Sequence, residues 1–318
     1  MTDPSRPLRF GERTHKGHRH SNQDAVLSTG LPDGRHLLAV ADGMGGLAEG
    51  ESASKTALAA LLSSLSAGAD LAQAVQEANA AVRSQAGEKS VGTTLVAALL
   101  AGNRAEIVNV GDSRAYNVDA LGLLQITRDH TMGEEARRRA TLGEGFLPQP
   151  FEEGPFDGGP WAGTLARFLG AGDTVEADLY GPVLLETGDW LLLCSDGLHR
   201  VLSEGDMERA LRNSQDPGEA ANHLVEMALE RQTEDNVSVA LVHRPEEEEE
   251  AMLKPLDPVS TGPSPPPPAS TWSPGSLFER SPRNEQRRRP ALVVTLVLLG
   301  LLGALGLAYL ALGRALFS

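Results

Sequence analysis

Cysteine is nearly absent: Cys194 is the single one among 318 residues. An intrachain disulfide is therefore excluded, and the usage fits a reducing compartment. Positive charge is also short, with 28 Lys and Arg against 43 Asp and Glu and a net charge of −15. That balance argues against a sequence-independent nucleic-acid binder, which needs excess Lys and Arg on its contact face. The opening MTDPSRPLRF lacks an apolar h-region, so no cleavable signal peptide is expected and the N-terminal region should stay in the cytosol. No twelve-residue loop carries acidic residues at EF-hand positions ending in Glu, and DGMGG (residues 42–46) lacks the Gly-Lys-Ser/Thr ending of a phosphate loop.

What is present divides into three segments. Residues 8–244 alternate apolar patches with Gly-rich turns, and 41% hydrophobic residues overall suffice for a substantial core. Residues 245–290 carry eleven prolines, an EEEEE run and few large apolar side chains, the composition of a flexible tether. A coil of that length reaches about 40 Å root-mean-square. Residues 291–312, ALVVTLVLLGLLGALGLAYLAL, hold no charge and as a helix would run about 33 Å, enough to cross a bilayer's hydrocarbon core. Arg283, Arg287, Arg288 and Arg289 precede this stretch and only Arg314 follows, which predicts a single span with its N-terminal side cytoplasmic.

Inside the first segment, residues 49–65 and 70–86 have helical spacing, with Asp70 as the second helix's N-cap; residues 203–213 and 216–232 repeat the pattern with Ser203 and Asp216 as caps. Between them lie short β-rich runs separated by Gly, Asn and Asp: TTLVAALLAG, RAEIVNVGD, RAYNVDALG, GLLQITRD, DWLLLCSDG and NVSVALVHR. Consecutive short strands joined by tight turns predict antiparallel meanders in an α+β layered domain.

Three of the strand-like runs end alike, LLAVADG at Asp42, AEIVNVGD at Asp112 and WLLLCSDG at Asp196, while Asp235 immediately precedes NVSVALV. Each Asp alone is an ordinary turn or cap residue. Side by side at one sheet edge they would repel one another and raise each other's pKa, a conflict that bound cations remove. Neighbouring glycines at 43, 111 and 197 permit close backbone approach, as a site needs when a main-chain carbonyl joins the coordination shell. Oxygen ligation without Cys or paired His points to Mg²⁺ or Mn²⁺ instead of zinc. Arg19 stands five residues before Asp24, and an Arg beside metal-bound carboxylates is suited to grip a phosphate bidentately.

Taken together, RHSNQDA, VADGMGG with EGESAS, VGTTLVAALL, VNVGDSRAY, TRDHT, LCSDGL and EDNVSVALV occur in the order of a known family. Over about residues 8–243 the chain resembles the metal-dependent protein phosphatases (PPM, type 2C), especially the bacterial Ser/Thr members. The resemblance implies a four-layer αββα sandwich, two antiparallel sheets flanked by helix pairs, with a binuclear metal centre at one edge. It further implies that Asp42 bridges both metals, Gly43 lends its carbonyl, and Asp196 and Asp235 complete the first site. Asp24 would support metal-bound waters, Arg19 would clamp phosphate, and Asp112 with Asp196 would hold a third ion. Asn236 would orient its neighbours. Gln23 stands where many members have Glu, and Met44 where eukaryotic members have a histidine proposed as general acid. His130 reads as structural.

The expected reaction is hydrolysis of phosphoserine and phosphothreonine by a water bridging two metals, with no covalent phosphoenzyme. Substrates would be phosphorylated proteins, Ser/Thr kinases and their neighbours, near the cytoplasmic membrane face. Rival readings are a catalytically silent phosphoprotein-binding module and a membrane-anchored scaffold recruiting partners through its proline-rich segment. Residues 131–168 fall where the family carries a variable flap.

Overall fold

A computed structural model describes residues 8–87, 91–141 and 161–246 of the chain. Two sheets form its centre. The first runs in the order β1 (Arg9–His15), β11 (Val237–His243), β10 (Trp190–Cys194), β7 (Arg114–Asp119), β8 (Gly122–Gln125). The second runs β2 (Asp24–Gly30), β3 (His36–Met44), β5 (Leu95–Ala101), β6 (Arg104–Val110), β9 (Asp178–Leu184), with the two-residue β4 (Gly92–Thr93) pairing β3. Every strand pairing is antiparallel, as the meander pattern predicted.

The central strands read as continuous apolar runs because both of their faces are covered. Side chains alternate across a pleat, so in β3 Leu37, Ala39 and Ala41 pack with Leu61, Leu65 and Val75 of helices α1 (Leu47–Ser66) and α2 (Leu71–Ala86). Leu38 and Val40 of the same strand point the other way and join Leu191, Leu193, Ala240 and Val242 from the opposite sheet. In the first sheet, Trp190, Leu192, Val239 and Leu241 turn outward onto Met207, Leu211, Leu224 and Val225 of α5 (Glu204–Arg212) and α6 (Pro217–Glu230). The result is helices, sheet, sheet, helices, the layered sandwich expected.

The helix starts also follow local chemistry. The Asp70 carboxylate accepts from the Gln73 N–H at 2.8 Å. Ser203 and Asp206 form a reciprocal capping box, and Asp216 accepts from the Gly218 and Glu219 N–H groups ahead of Pro217 at the first helical position. Two elements go beyond the sequence reading. Helix α3 (Met132–Thr141) opens the flap region and is laced by Glu134–Arg137 and Glu135–Arg138 pairs. Strand β9 contains Gly181 and Pro182, residues that weaken a strand but are tolerated at a sheet edge, which is where β9 lies.

Among the described residues no helix is long and apolar enough to cross a membrane. The span assigned to residues 291–312, the tether apart from residues 245 and 246, and flap residues 142–160 lie outside the described residues.

Candidate metal centre and active site

The register of one strand pair sets the character of the site. In the β2–β3 ladder, Asp24 stands directly opposite Asp42. Both fall on the parity of Val26 and Val40, which face the opposite sheet, so the two carboxylates sit at the rim of the inter-sheet layer. Like charges directly across an antiparallel ladder are destabilising. The opposite sheet aggravates this, because β10 ends at Cys194 and leads through Ser195 into the one-turn helix α4 (Asp196–His199), whose first residue is a third carboxylate. Asp235 adds a fourth just before β11, and Asp112 a fifth in the turn between β6 and β7.

The electrostatics record this convergence. Burial, followed by the charges of Asp24, Asp196, Asp112 and Asp235, pushes the Asp42 carboxyl well above the ordinary carboxylate range. Burial raises Asp24 to about 7 against the hydrogen bonds it receives, with Asp196 and Asp235 adding to the rise. Asp112 is raised to about 6, by burial and then by Asp196, and Asp196 is raised chiefly by burial. Asp24 is 4% exposed and Asp112 5%. One oxygen of Asp24 accepts from the Ser195 hydroxyl at 2.8 Å, while its other oxygen and Oδ1 of Asp196 are buried without a partner.

The scaffold around these carboxylates is tied from several elements. The Asp42 N–H donates to Thr94 Oγ1 at 2.9 Å, and the Asp42 carbonyl accepts from the Thr94 N–H at 2.8 Å and the Thr93 hydroxyl at 2.9 Å. The Gly43 N–H donates to the Gln23 carbonyl at 3.1 Å. Gln23 spends a side-chain N–H on the Gly46 carbonyl at 3.0 Å. Asn236 accepts from the Gln23 N–H at 2.7 Å and donates to the Lys16 and Ser21 carbonyls at 2.8 and 2.9 Å, clasping the loop that carries Arg19. The turn delivering Asp112 needs a positive φ of 112° at Gly111, a conformation L side chains avoid.

Two arginines stand among the acids. Arg19, its side chain 53% exposed, pairs with Asp235 at 2.8 Å and donates to the Glu234 carbonyl at 3.0 Å. Arg200 reaches Asp196 at 2.7 Å and Asp112 at 3.2 Å. Arg200 did not figure in the sequence reading, although its place four residues after Asp196 on a helical turn was a readable signal. Thr93 and Thr94 stand in the strand and family motif VGTTLVAALL, which by itself assigns them no part in holding Asp42. His130 is fully buried, accepting from the Gly111 N–H at 3.2 Å and facing Asp178 at 3.2 Å, which suits a structural role. Met44, next to Gly43, offers no proton.

Among the described residues no three His, Cys, Asp or Glu side chains are already gathered as a ligand set. Arg19 and Arg200 hold three of the carboxylates instead. The donor chemistry nevertheless fits a hard divalent cation: the oxygens are anionic, two buried ones lack any partner, and burial, with the neighbouring carboxylates adding to it, pushes several of the acids toward protonation. A groove of about 750 Å³ opens beside them, lined by Asp112, Arg114, Arg128, Tyr180, His199 and Arg200 among others.

Comparison with known proteins places this geometry. The sequence model described as protein phosphatase 2C matches residues 12–242. The serine/threonine phosphatase stp of Listeria monocytogenes is 34% identical over 248 residues, covering 73% of this chain and 94% of the relative. The solved serine/threonine phosphatase of S. agalactiae superposes with a TM-score of 0.65 at 27% identity, over 74% of this chain and 99% of that one. A PstP catalytic domain solved in complex with two manganese ions superposes with a TM-score of 0.59 at 32% identity, over 75% of this chain and 99% of that one.

Proposed function

We propose how this chain works from the premise that it belongs to the protein phosphatase 2C family and is a protein serine/threonine phosphatase. The observation that carries the mechanism is the Asp24–Asp42 cross-strand pair at the inter-sheet rim, with Asp196, Asp235 and Asp112 converging on it. Such an arrangement is costly unless cations enter it.

A PstP catalytic domain was solved with two manganese ions; on the family resemblance, Asp42, Asp196, Asp235 and the Gly43 carbonyl are the groups that would hold two Mn²⁺ or Mg²⁺ ions here. When bound, the ions supply a water acidic enough to act as hydroxide near neutral pH, and they offset charge on the phosphoryl oxygens. The chain's own residues orient and exclude. The Thr93 and Thr94 bonds fix the Asp42 backbone, so its carboxylate is aimed before substrate arrives. Asp24, held by Ser195, accepts hydrogen bonds from waters at the centre. Arg19, half exposed and tethered through Glu234 and Asp235, presents its remaining N–H groups to the phosphate and fixes it in line. The groove beside Asp112 receives the peptide flanking the phosphorylated residue.

The assay is phosphate release from p-nitrophenyl phosphate and phosphothreonine peptides with Mn²⁺, Mg²⁺ or EDTA. Metal-dependent release is expected. A folded, manganese-loaded sample that hydrolyses neither substrate refutes the mechanism and leaves the binding-module or scaffold readings.

The setting proposed is the cytoplasmic face of a membrane, supported by the uncharged stretch at residues 291–312 and the arginines before it. Anchoring raises the effective concentration of the enzyme toward phosphorylated membrane-associated kinases and their neighbours. Fractionation of cells tests this: the full chain should sediment with membranes and a chain ending at residue 289 should not. Equal distribution of the two refutes the anchor.

A further inference from the structure

The pair Asp112–Asp196 is where the family resemblance places a third metal ion, and in this structure that pair already has a cation. A single guanidinium nitrogen of Arg200 lies 2.7 Å from Asp196 Oδ2 and 3.2 Å from Asp112 Oδ2. The contact is prepared by the backbone. Asp196 opens α4 and Arg200 closes its turn, with the Arg200 N–H donating to the Asp196 carbonyl at 3.0 Å, so the two side chains emerge on one face. The neighbouring His199 fixes the other partner. Burial holds its imidazole neutral, with a pKa near 4, and its Nε2 lies 3.0 Å from the Asp112 carbonyl, where it donates. Consecutive residues thus grip Asp112, one by its main chain and one by its carboxylate.

We propose that Arg200 is a resident cation of this site, standing on the Asp112–Asp196 oxygens in place of a third metal ion, so that the enzyme loads two ions and not three. The inference rests on the two-ion reading above and concerns only the third position. A guanidinium keeps its charge at every physiological pH and cannot vacate the site by losing a proton. A divalent ion on the same two carboxylates would need those lone pairs and would meet an undiminished positive charge beside them. The other nearby arginines are committed elsewhere: Arg114 makes a two-pronged pair with Asp129 at 2.8 and 2.7 Å, and Arg19 is paired with Asp235 at 2.8 Å. Arg200 is therefore a positioning residue. It holds Asp112 and Asp196 together through one guanidinium nitrogen.

The test counts ions. Purified full chain is titrated with Mn²⁺ and free manganese is read by electron paramagnetic resonance, for wild type, Arg200→Ala, Arg200→Gln and Arg200→Lys. Wild type and Arg200→Lys should bind two ions per chain; Arg200→Ala and Arg200→Gln should bind three, the added one weakest. Adding Asp112→Asn to Arg200→Gln should return the count to two. Three ions in wild type, or two in every protein, overturns the assignment of Arg200 and leaves the two-ion reading intact. No ion in any of them withdraws the two-ion reading, and this inference with it.

Discussion

In the metal-free protein, Asp24→Asn should stabilise the fold above neutral pH and do almost nothing near pH 4. Asp24 is buried opposite Asp42, and its carboxyl moves from the ordinary 3.8 to about 7 in the fold. A carboxyl with a raised folded pKa costs the native state nothing while protonated, and the cost accumulates as pH climbs from the unfolded value through the folded one. Three powers of ten in acidity, at about 1.4 kcal/mol each, give a penalty of about 4 kcal/mol, fully developed above pH 7. The amide removes that penalty while its oxygen can still accept from Ser195. The difference between variant and wild type cancels titrations common to both and leaves Asp24 together with its coupling to Asp42. Burial pushes His199 and His243 down to about 4, so their contribution to stability rises between pH 4 and 6.5 and opposes the Asp slope in either protein alone. The assay is urea unfolding in EDTA from pH 4.5 to 8.5, followed by tryptophan fluorescence, since Trp190 is 3% exposed and stacks on His243 at 3.9 Å. The difference should grow from about 1 kcal/mol at pH 4.5 to about 4 kcal/mol above pH 7 in favour of the variant. Saturating Mn²⁺ should shrink or reverse it, because wild type gains more from the ion. Parallel curves in EDTA would refute the claim that the buried Asp24 carboxylate, once charged, destabilises the fold.

Three further outcomes follow from the same geometry. Asp42→Asn should leave the fold intact, since Thr93 and Thr94 hold the Asp42 backbone and not its side chain, and should lower kcat by at least about a thousandfold if its charge organises the site. Steady-state kinetics with saturating Mn²⁺ measures this, and near-normal kcat contradicts the assignment. Arg19→Ala, at a half-exposed pair, should raise KM for p-nitrophenyl phosphate about tenfold or more with little loss of stability, and unchanged constants would remove it from the phosphate site. Gly197→Ala should cost about 3 kcal/mol or more in denaturant unfolding, because the added Cβ would fall 1.9 Å from the Asn236 carbonyl oxygen, a backbone atom with no room to move away cheaply.

Much of the architecture was legible because the relevant signals are local. The caps at Asp70, Ser203 and Asp216 act on N–H groups two or three residues away, and the strand ends at Asp42, Asp112 and Asp196 are marked by a change from apolar runs to Asp and Gly. The parts that were missed depend on partners distant in sequence. Strand β9 is specified by pairing along β6 and not by its own Gly-Pro composition. Arg200 is unremarkable until α4 sets it one turn from Asp196 and the β6–β7 turn carries Asp112 to the same point from 88 residues away. The acidic residues announce that cations are needed, but the sequence alone does not say how many of those cations the chain supplies itself. The structure names two, Arg19 at Asp235 and Arg200 at Asp112 and Asp196, and leaves Asp24 and Asp42, the pair that the ladder forces into opposition, without an arginine in hydrogen-bonding contact among the described residues. That pair is where a mobile ion has the most repulsion to relieve, and it is therefore where the metal dependence of this phosphatase should originate.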